Sequence, residues 1–274
     1  FAWAFVRLDS WSWGIVKKAS VRLGQWLRTI LKKLGKTTTS DINHVSEEEN
    51  RWIIVGLCLI KMLTPALRNA LATEIPKWYH SLCQPPIQID KQVHSKQQKT
   101  LAPSTLKLNY KNINNNNDGR KPSAFDYAVT DPLSLAKLFI QPSMLKFNGF
   151  DETMDLSAIL SIICEAAPFA GAAAHASWAV RSDIRNEWAH CSNFANWTEA
   201  KFNTDFQTME TLLKSVKLSS EDEQRWCDEM NIWRSKGLQP CLGQDVDIEM
   251  LTDLRDQVNE LSQAVKTWNL GKEE

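Results

Sequence analysis

AGAAAHASWAVRSDIRNEWAHC, residues 170–191, is the stretch that decides the fold class. On an α-helix turning about 100° per residue, Ser177, Val180, Trp188 and Cys191 all fall within about 40° of Ile184. That is a continuous, mostly apolar stripe, and it must face a core. Arg185 then lies at about 100°, Ala189 at about 140°, Ser182 at about 160°, Asn186 at about 200° and His190 at about 240°. The polar set therefore occupies the side away from the core, so His190 is not expected to be a core histidine. A plain solvated face is also disfavoured, because Ala172, Ala179, Ser182 and Ala189 stand where Lys, Glu or Gln would be usual. Small side chains let a second helix or a ligand come close. Asn186 and His190 are four apart and are neighbours on the surface, so they can share one substrate group. Arg185 and His190 are five apart and poorly placed to grip one atom from a single helix. Two copies crossing at this helix would let the Arg of one complement the His of the other.

The same periodicity extends outward along the chain. Ser46 with Glu49 fits a capping box ahead of the apolar run at 52–60, and predicts a long helix over about 47–82, broken or kinked at Thr64-Pro65. Residues 133–140 and 154–166 carry helical spacing, with Pro142 and Pro168 between the segments. A cap-like start at 196–199 leads into a helix to about Val216, and another opens near Ser220. The last helix, about 247–268, places Leu251, Leu254, Val258, Leu261, Val265 and Trp268 on a short heptad seam, which either starts a coiled coil or docks on the core. No stretch reads as a strand. The expected fold is all-α, an antiparallel helical bundle with an insert and an additional C-terminal helix.

The 274 residues suffice for one large or two small domains. The net charge of zero hides a gradient. Residues 1–36 carry eight Lys/Arg against one Asp, whereas 219–274 carry six basic and thirteen acidic side chains. The segment 1–46 reads as a basic amphipathic stretch and linker. It is suited to a membrane surface or nucleic acid, or it belongs to a further domain upstream, as a chain starting at Phe1 suggests. Residues 84–123 are Gln-, Lys- and Asn-rich, with prolines and the run 114–117, and read as a flexible, solvated insert. The helical domain is placed at 47–236 around that insert, with a linker and heptad helix at 237–274. The apolar run at 52–60 is too short for a bilayer, which needs about 20 residues, so no transmembrane span is expected. Six scattered cysteines suit reduced thiols in the cytoplasm better than a disulfide framework. His80 and Cys83 form half a zinc site without a second half, and no Gly-rich phosphate loop or nucleophile elbow is present. No metal and no cofactor are expected.

Arg185-Asn186-x-x-x-His190 at the end of an amphipathic helix resembles the Arg-x4–6-His motif of the HEPN domain. A short loop and a Phe-rich helix with Phe202 and Phe206 follow it. The flanking text is most similar to the animal subfamily in RNA-binding RING-finger ubiquitin ligases, like the DAZ-interacting zinc-finger protein, and in innate-immune receptor-like proteins. The segment 52–78, with its Leu-Thr-Pro-Ala-Leu run, fits the opening helix of that subfamily. The resemblance covers about 47–83 and 123–236. It implies a helical bundle that forms a homodimer through the helix containing 172–190, with both motifs in one cleft. In active members that cleft is a metal-independent endoribonuclease. Transferred to this chain, His190 would move a proton at the RNA 2′-hydroxyl or the 5′-oxygen, and Arg185 would hold the scissile phosphate. Asn186 would orient the phosphate or the imidazole, and Arg181 would add phosphate affinity. The alternative implication is a non-catalytic oligomerisation or interaction module of a larger innate-immune or ubiquitin-ligase-like protein.

Overall fold

The computed structural model describes residues 46–95, 98–102, 108–116, 121–191 and 193–237. Helix occupies 69% of the described residues and no strand occurs among them, so the fold is all-α. The α-helices in chain order are α1 (Glu47–Leu57), α2 (Thr64–Leu82), the short α3 (Gln98–Leu101), α4 (Pro132–Lys137), α5 (Leu156–Glu165), α6 (Ala172–Ala179), α7 (Asn186–Ala189), α8 (Glu199–Ser215) and α9 (Ser220–Lys236). Two π-helical turns, Cys58–Leu63 and Val180–Arg185, join α1 to α2 and α6 to α7. The basic stretch 1–36 and the heptad seam at 247–268 lie outside the described residues.

The capping box forms as the spacing predicts. The Glu49 N–H donates to Ser46 Oγ at 3.2 Å, and the Ser46 N–H donates to the Glu49 carboxylate at 3.0 Å. The kink or break expected at Thr64-Pro65 does not end the helix. The chain stays helical from 47 to 82, and a π turn precedes the proline instead. Pro65 has no N–H and its ring crowds the carbonyl four residues back, and a wider turn at Cys58–Leu63 relieves that conflict. Thr64 Oγ1 closes the turn by donating to the Leu59 carbonyl at 2.6 Å. The whole segment is 36 residues, long and apolar enough to cross a bilayer by length and composition, although 72% of its most apolar window is buried as in a core helix.

The chain divides into two compact units. The described part of the second is 58–95, 98–102, 108–116, 121–183 and 205–231. Its α2 packs against α4 and α5, and α5 packs against α6. Leu63 at the end of the first π turn, Leu67, Leu71 and Ile75 of α2, and Ile159, Ile162 and Ile163 of α5 are fully buried. Asp131 and Asp155 cap α4 and α5 by accepting backbone N–H bonds from Ser134 and Ala158. Buried Ser177 Oγ donates to the Leu160 carbonyl at 3.0 Å, and Ala173 and Ala176 keep α6 narrow enough to lie against α5.

The insert keeps the irregular backbone its composition predicts, but it is not solvated throughout. Ile89, Leu101, Leu108, Tyr110 and Ile113 are buried. The asparagine run is structural at its described positions. Asn114 and Asn115 take φ of 52° and 54°, a left-handed conformation that asparagine tolerates better than most residues. Asn116, 1% exposed, donates to the carbonyls of Tyr110 and Asp126 at 2.9 and 2.8 Å and accepts from the Asp126 N–H at 3.0 Å. Asn116→Ala removes three hydrogen bonds to the backbone, of which only that at the Asp126 carbonyl has a second donor, Asn114, and is expected to lower unfolding stability by about 1–3 kcal/mol in urea titration. A wild-type midpoint would show that this loop does not contribute to the fold.

Candidate functional site

The predicted motif falls in the first unit, whose described residues are 46–57, 184–191, 193–204 and 232–237. Trp52 on α1 and Trp188 on α7 stack with ring centroids 5.6 Å apart and planes 17° apart. Each indole N–H donates to the other's backbone carbonyl, Trp52 Nε1 to Trp188 O at 3.1 Å and Trp188 Nε1 to Trp52 O at 3.2 Å. Both rings are therefore buried with their polar atoms satisfied. Phe194 meets Trp52 edge-on at 5.5 Å. A Cβ at Gly56 would lie 2.4 Å from Trp188 Nε1, so the second indole fits only because α1 carries glycine there.

This stack fixes the site residues by their distance along the chain from Trp188. Arg185 lies three residues before it, where the second π turn ends, and Asn186 opens α7. His190 closes the helix two residues after it, at φ −109° and ψ 20°, with its N–H donating to the Asn186 carbonyl at 3.0 Å. Arg185 Nη1 donates to Asn186 Oδ1 at 2.9 Å. Asn186 thus holds the guanidinium rather than facing outward alone. His190 remains exposed, yet the protein around its ring lowers the imidazole pKa below the ordinary 6.5. Desolvation is the larger cause, and repulsion from the Arg185 guanidinium adds to it.

The charge of Arg185 is therefore felt by His190 within one chain. The stretch departs from an ideal wheel in two places. His190 has already left helical dihedrals, and the π turn at Val180–Arg185 shifts the helix register ahead of α7. Ile184 and Trp188 are buried as predicted. Arg181 lies in the second unit, where its charge is felt by the Cys164 thiol.

Around the motif the first unit is tied by contacts that link distant positions. Glu187 Oε2 pairs with Lys201 Nζ at 2.9 Å, and that ammonium sits 5.0 Å from the Trp197 ring centroid. Trp197 Nε1 donates to Cys191 Sγ at 3.2 Å. Burial raises the Cys191 thiol pKa, and the Trp197 N–H partly offsets this. Arg51 pairs with Glu47 at 2.7 Å and reaches the Trp197 carbonyl at 3.4 Å. Sequence reasoning missed Trp52, Gly56 and Lys201. The Trp52–Trp188 partnership spans 136 residues, and no local pattern carries it. Among the described residues no group of three His, Cys, Asp or Glu side chains gathers as a metal site. Comparison with family models, with curated proteins and with solved structures finds no match.

A histidine whose folded pKa is lowered favours the folded state above its ordinary pKa, and that contribution is lost as pH falls through 6.5 toward the folded value. In an NMR titration the His190 ring is expected to reach its midpoint below 6.5. Arg185→Ala should raise the midpoint only part of the way back, because the larger cause, desolvation, persists. A His190 midpoint at or above 6.5 would contradict this environment.

Proposed function

We propose that the chain is an RNA-binding protein of HEPN type that cleaves RNA with Arg185, Asn186 and His190, without a metal ion, as a homodimer joined through 172–190. The observation that carries the reading is a guanidinium held by Asn186 beside an exposed imidazole of lowered pKa. Such an imidazole is mostly neutral near pH 7 and can accept a proton. His190 takes the 2′-hydroxyl proton, the 2′-oxygen attacks phosphorus, and the bond to the 5′-oxygen breaks. That oxygen is protonated as it leaves, and the products are a 2′,3′-cyclic phosphate and a 5′-hydroxyl. Arg185 binds the phosphate oxygens on which charge builds, and its bond to Asn186 reduces the reorganisation needed. The charge of Arg185 is felt by His190 of the same chain, which supports a pair working within each copy, with the two pairs sharing one cleft in the homodimer. All five described cysteines are free thiols, which supports a cytoplasmic setting.

A second reading, a non-catalytic module for homotypic assembly in a larger signalling or ubiquitin-ligase protein, is favoured by the alanines of α6. Ala172 is exposed and Ala174 and Ala179 are half-exposed, which leaves room for another helix.

The deciding experiment incubates the purified chain with RNA in excess EDTA. Wild type is expected to release cyclic-phosphate ends, and His190→Ala to lose about 100-fold or more in rate, with light scattering reporting the same dimer for both. No cleavage by a well-folded wild-type dimer would leave the assembly module as the function. A strict monomer at micromolar concentration would overturn the dimer.

A further inference from the structure

Asn148-Gly149 is the one Asn-Gly pair in the sequence, and it lies ahead of α5 in the second unit. Asn148 is exposed and Gly149 half-exposed. Among the described residues, neither the Asn148 carboxamide nor the Gly149 N–H makes a hydrogen bond. The bonds that tie this segment lie elsewhere. The Asn148 N–H donates to Thr153 Oγ1 at 3.2 Å. Asp151 Oδ1 accepts from the Thr153 N–H at 3.0 Å and from its hydroxyl at 2.5 Å. Arg68 donates to the Met154 carbonyl at 2.8 Å and to the Glu152 carbonyl at 3.1 Å. The same packing calls for glycine beside Asn148. A Cβ at 149 would lie 2.6 Å from Asp151 Oδ2, on a carboxylate that Thr153 holds in place. The fold thus sets next to an exposed asparagine the residue that hinders its own amide nitrogen least.

Asparagine is chemically labile because the next residue's amide nitrogen can reach its side-chain carbonyl carbon. We infer that Asn148-Gly149 is a modification site that converts, without an enzyme, to aspartate and isoaspartate. Hydroxide takes the Gly149 N–H proton, and the nitrogen attacks Asn148 Cγ. A five-membered succinimide forms as the Cγ–Nδ2 bond breaks, and Nδ2 leaves as ammonia with a proton from water, which restores the hydroxide. Water then opens the ring at one of its two carbonyl carbons. Opening at Cγ gives aspartate. Opening at the main-chain carbonyl carbon gives isoaspartate, in which the chain runs on through the former side chain. One water is consumed and one ammonia released, with no oxidant or cofactor. Either product replaces a neutral amide by a carboxylate, and isoaspartate also lengthens the backbone by one carbon. Free rotation of the exposed carboxamide and the unbonded Gly149 N–H leave both reacting groups available in the folded chain. The inference stands apart from the RNA-binding reading.

Peptide mass spectrometry of the full chain, incubated at mildly alkaline pH in water enriched in oxygen-18, tests the site. A synthetic peptide spanning 145–152 is incubated alongside, and circular dichroism confirms that the chain stays folded. The peptide containing Asn148 is expected to gain the mass of an amide-to-acid exchange carrying the heavy oxygen, with isoaspartate in excess of aspartate and a rate that rises with pH. Asn148→Gln should keep its mass at this site, because closing the larger ring is slower. The glutamine replaces an exposed side chain without hydrogen bonds, so this variant should unfold thermally as wild type does. An unchanged Asn148 in the folded chain, while the synthetic peptide converts, overturns the site by showing that the fold protects it. Conversion that begins only when urea unfolds the chain overturns it in the same way. A mass gain that persists at the same peptide in Asn148→Gln also overturns it, by placing the chemistry on another residue.

Discussion

Two indoles that each donate to the other's main chain hold the first unit and its motif together. Trp52 and Trp188 exchange bonds of 3.1 and 3.2 Å across a stack 5.6 Å between centroids. The arrangement buries two large aromatic surfaces and leaves neither N–H orphaned, which is the usual obstacle to burying tryptophan. Because the acceptors are backbone carbonyls, the stack positions chain as well as side chain. Arg185, Asn186 and His190 sit within three residues of Trp188, so their placement follows from an interaction that none of them makes. Gly56 is part of the same constraint, since any side chain there collides with the second indole.

Held in this way, the motif has electrostatics that an isolated helix end would not have. Desolvation first, and repulsion from the Arg185 guanidinium second, make the imidazole lose its proton more readily. Asn186 accepts from the guanidinium and fixes it without neutralising it.

Much of the helical framework was legible in the sequence. The stripe of Val180, Ile184 and Trp188 is buried, the Ser46–Glu49 capping box forms, and helices occupy most of the stretches whose period is near 3.6. The departures come from interactions with no local signature. A kink or break was expected at Thr64-Pro65, and the helix instead continues through a π turn just ahead of it that nothing in the apolar run announces. The second π turn and the exit from helical dihedrals at His190 take this stretch off the ideal wheel, and neither has a signature in the sequence. Composition made 84–123 look like solvated loop, whereas Asn114 and Asn115 supply left-handed backbone and Asn116 satisfies buried carbonyls. Asparagine reads as polar in a composition count, although here its value is conformational and local.

The central claim is that the guanidinium and imidazole work as one pair within each chain, and mixing two variants tests it most directly. Arg185→Ala and His190→Ala chains are unfolded together, refolded to allow mixed dimers, and assayed against RNA in EDTA beside wild type treated in the same way. Active wild type and a mixture no more active than either variant alone are expected, because no mixed dimer contains an intact pair. Recovery of about a quarter of wild-type activity on mixing, with half of the dimers mixed and each regaining one of two sites, would instead show that the arginine of one chain serves the histidine of the other.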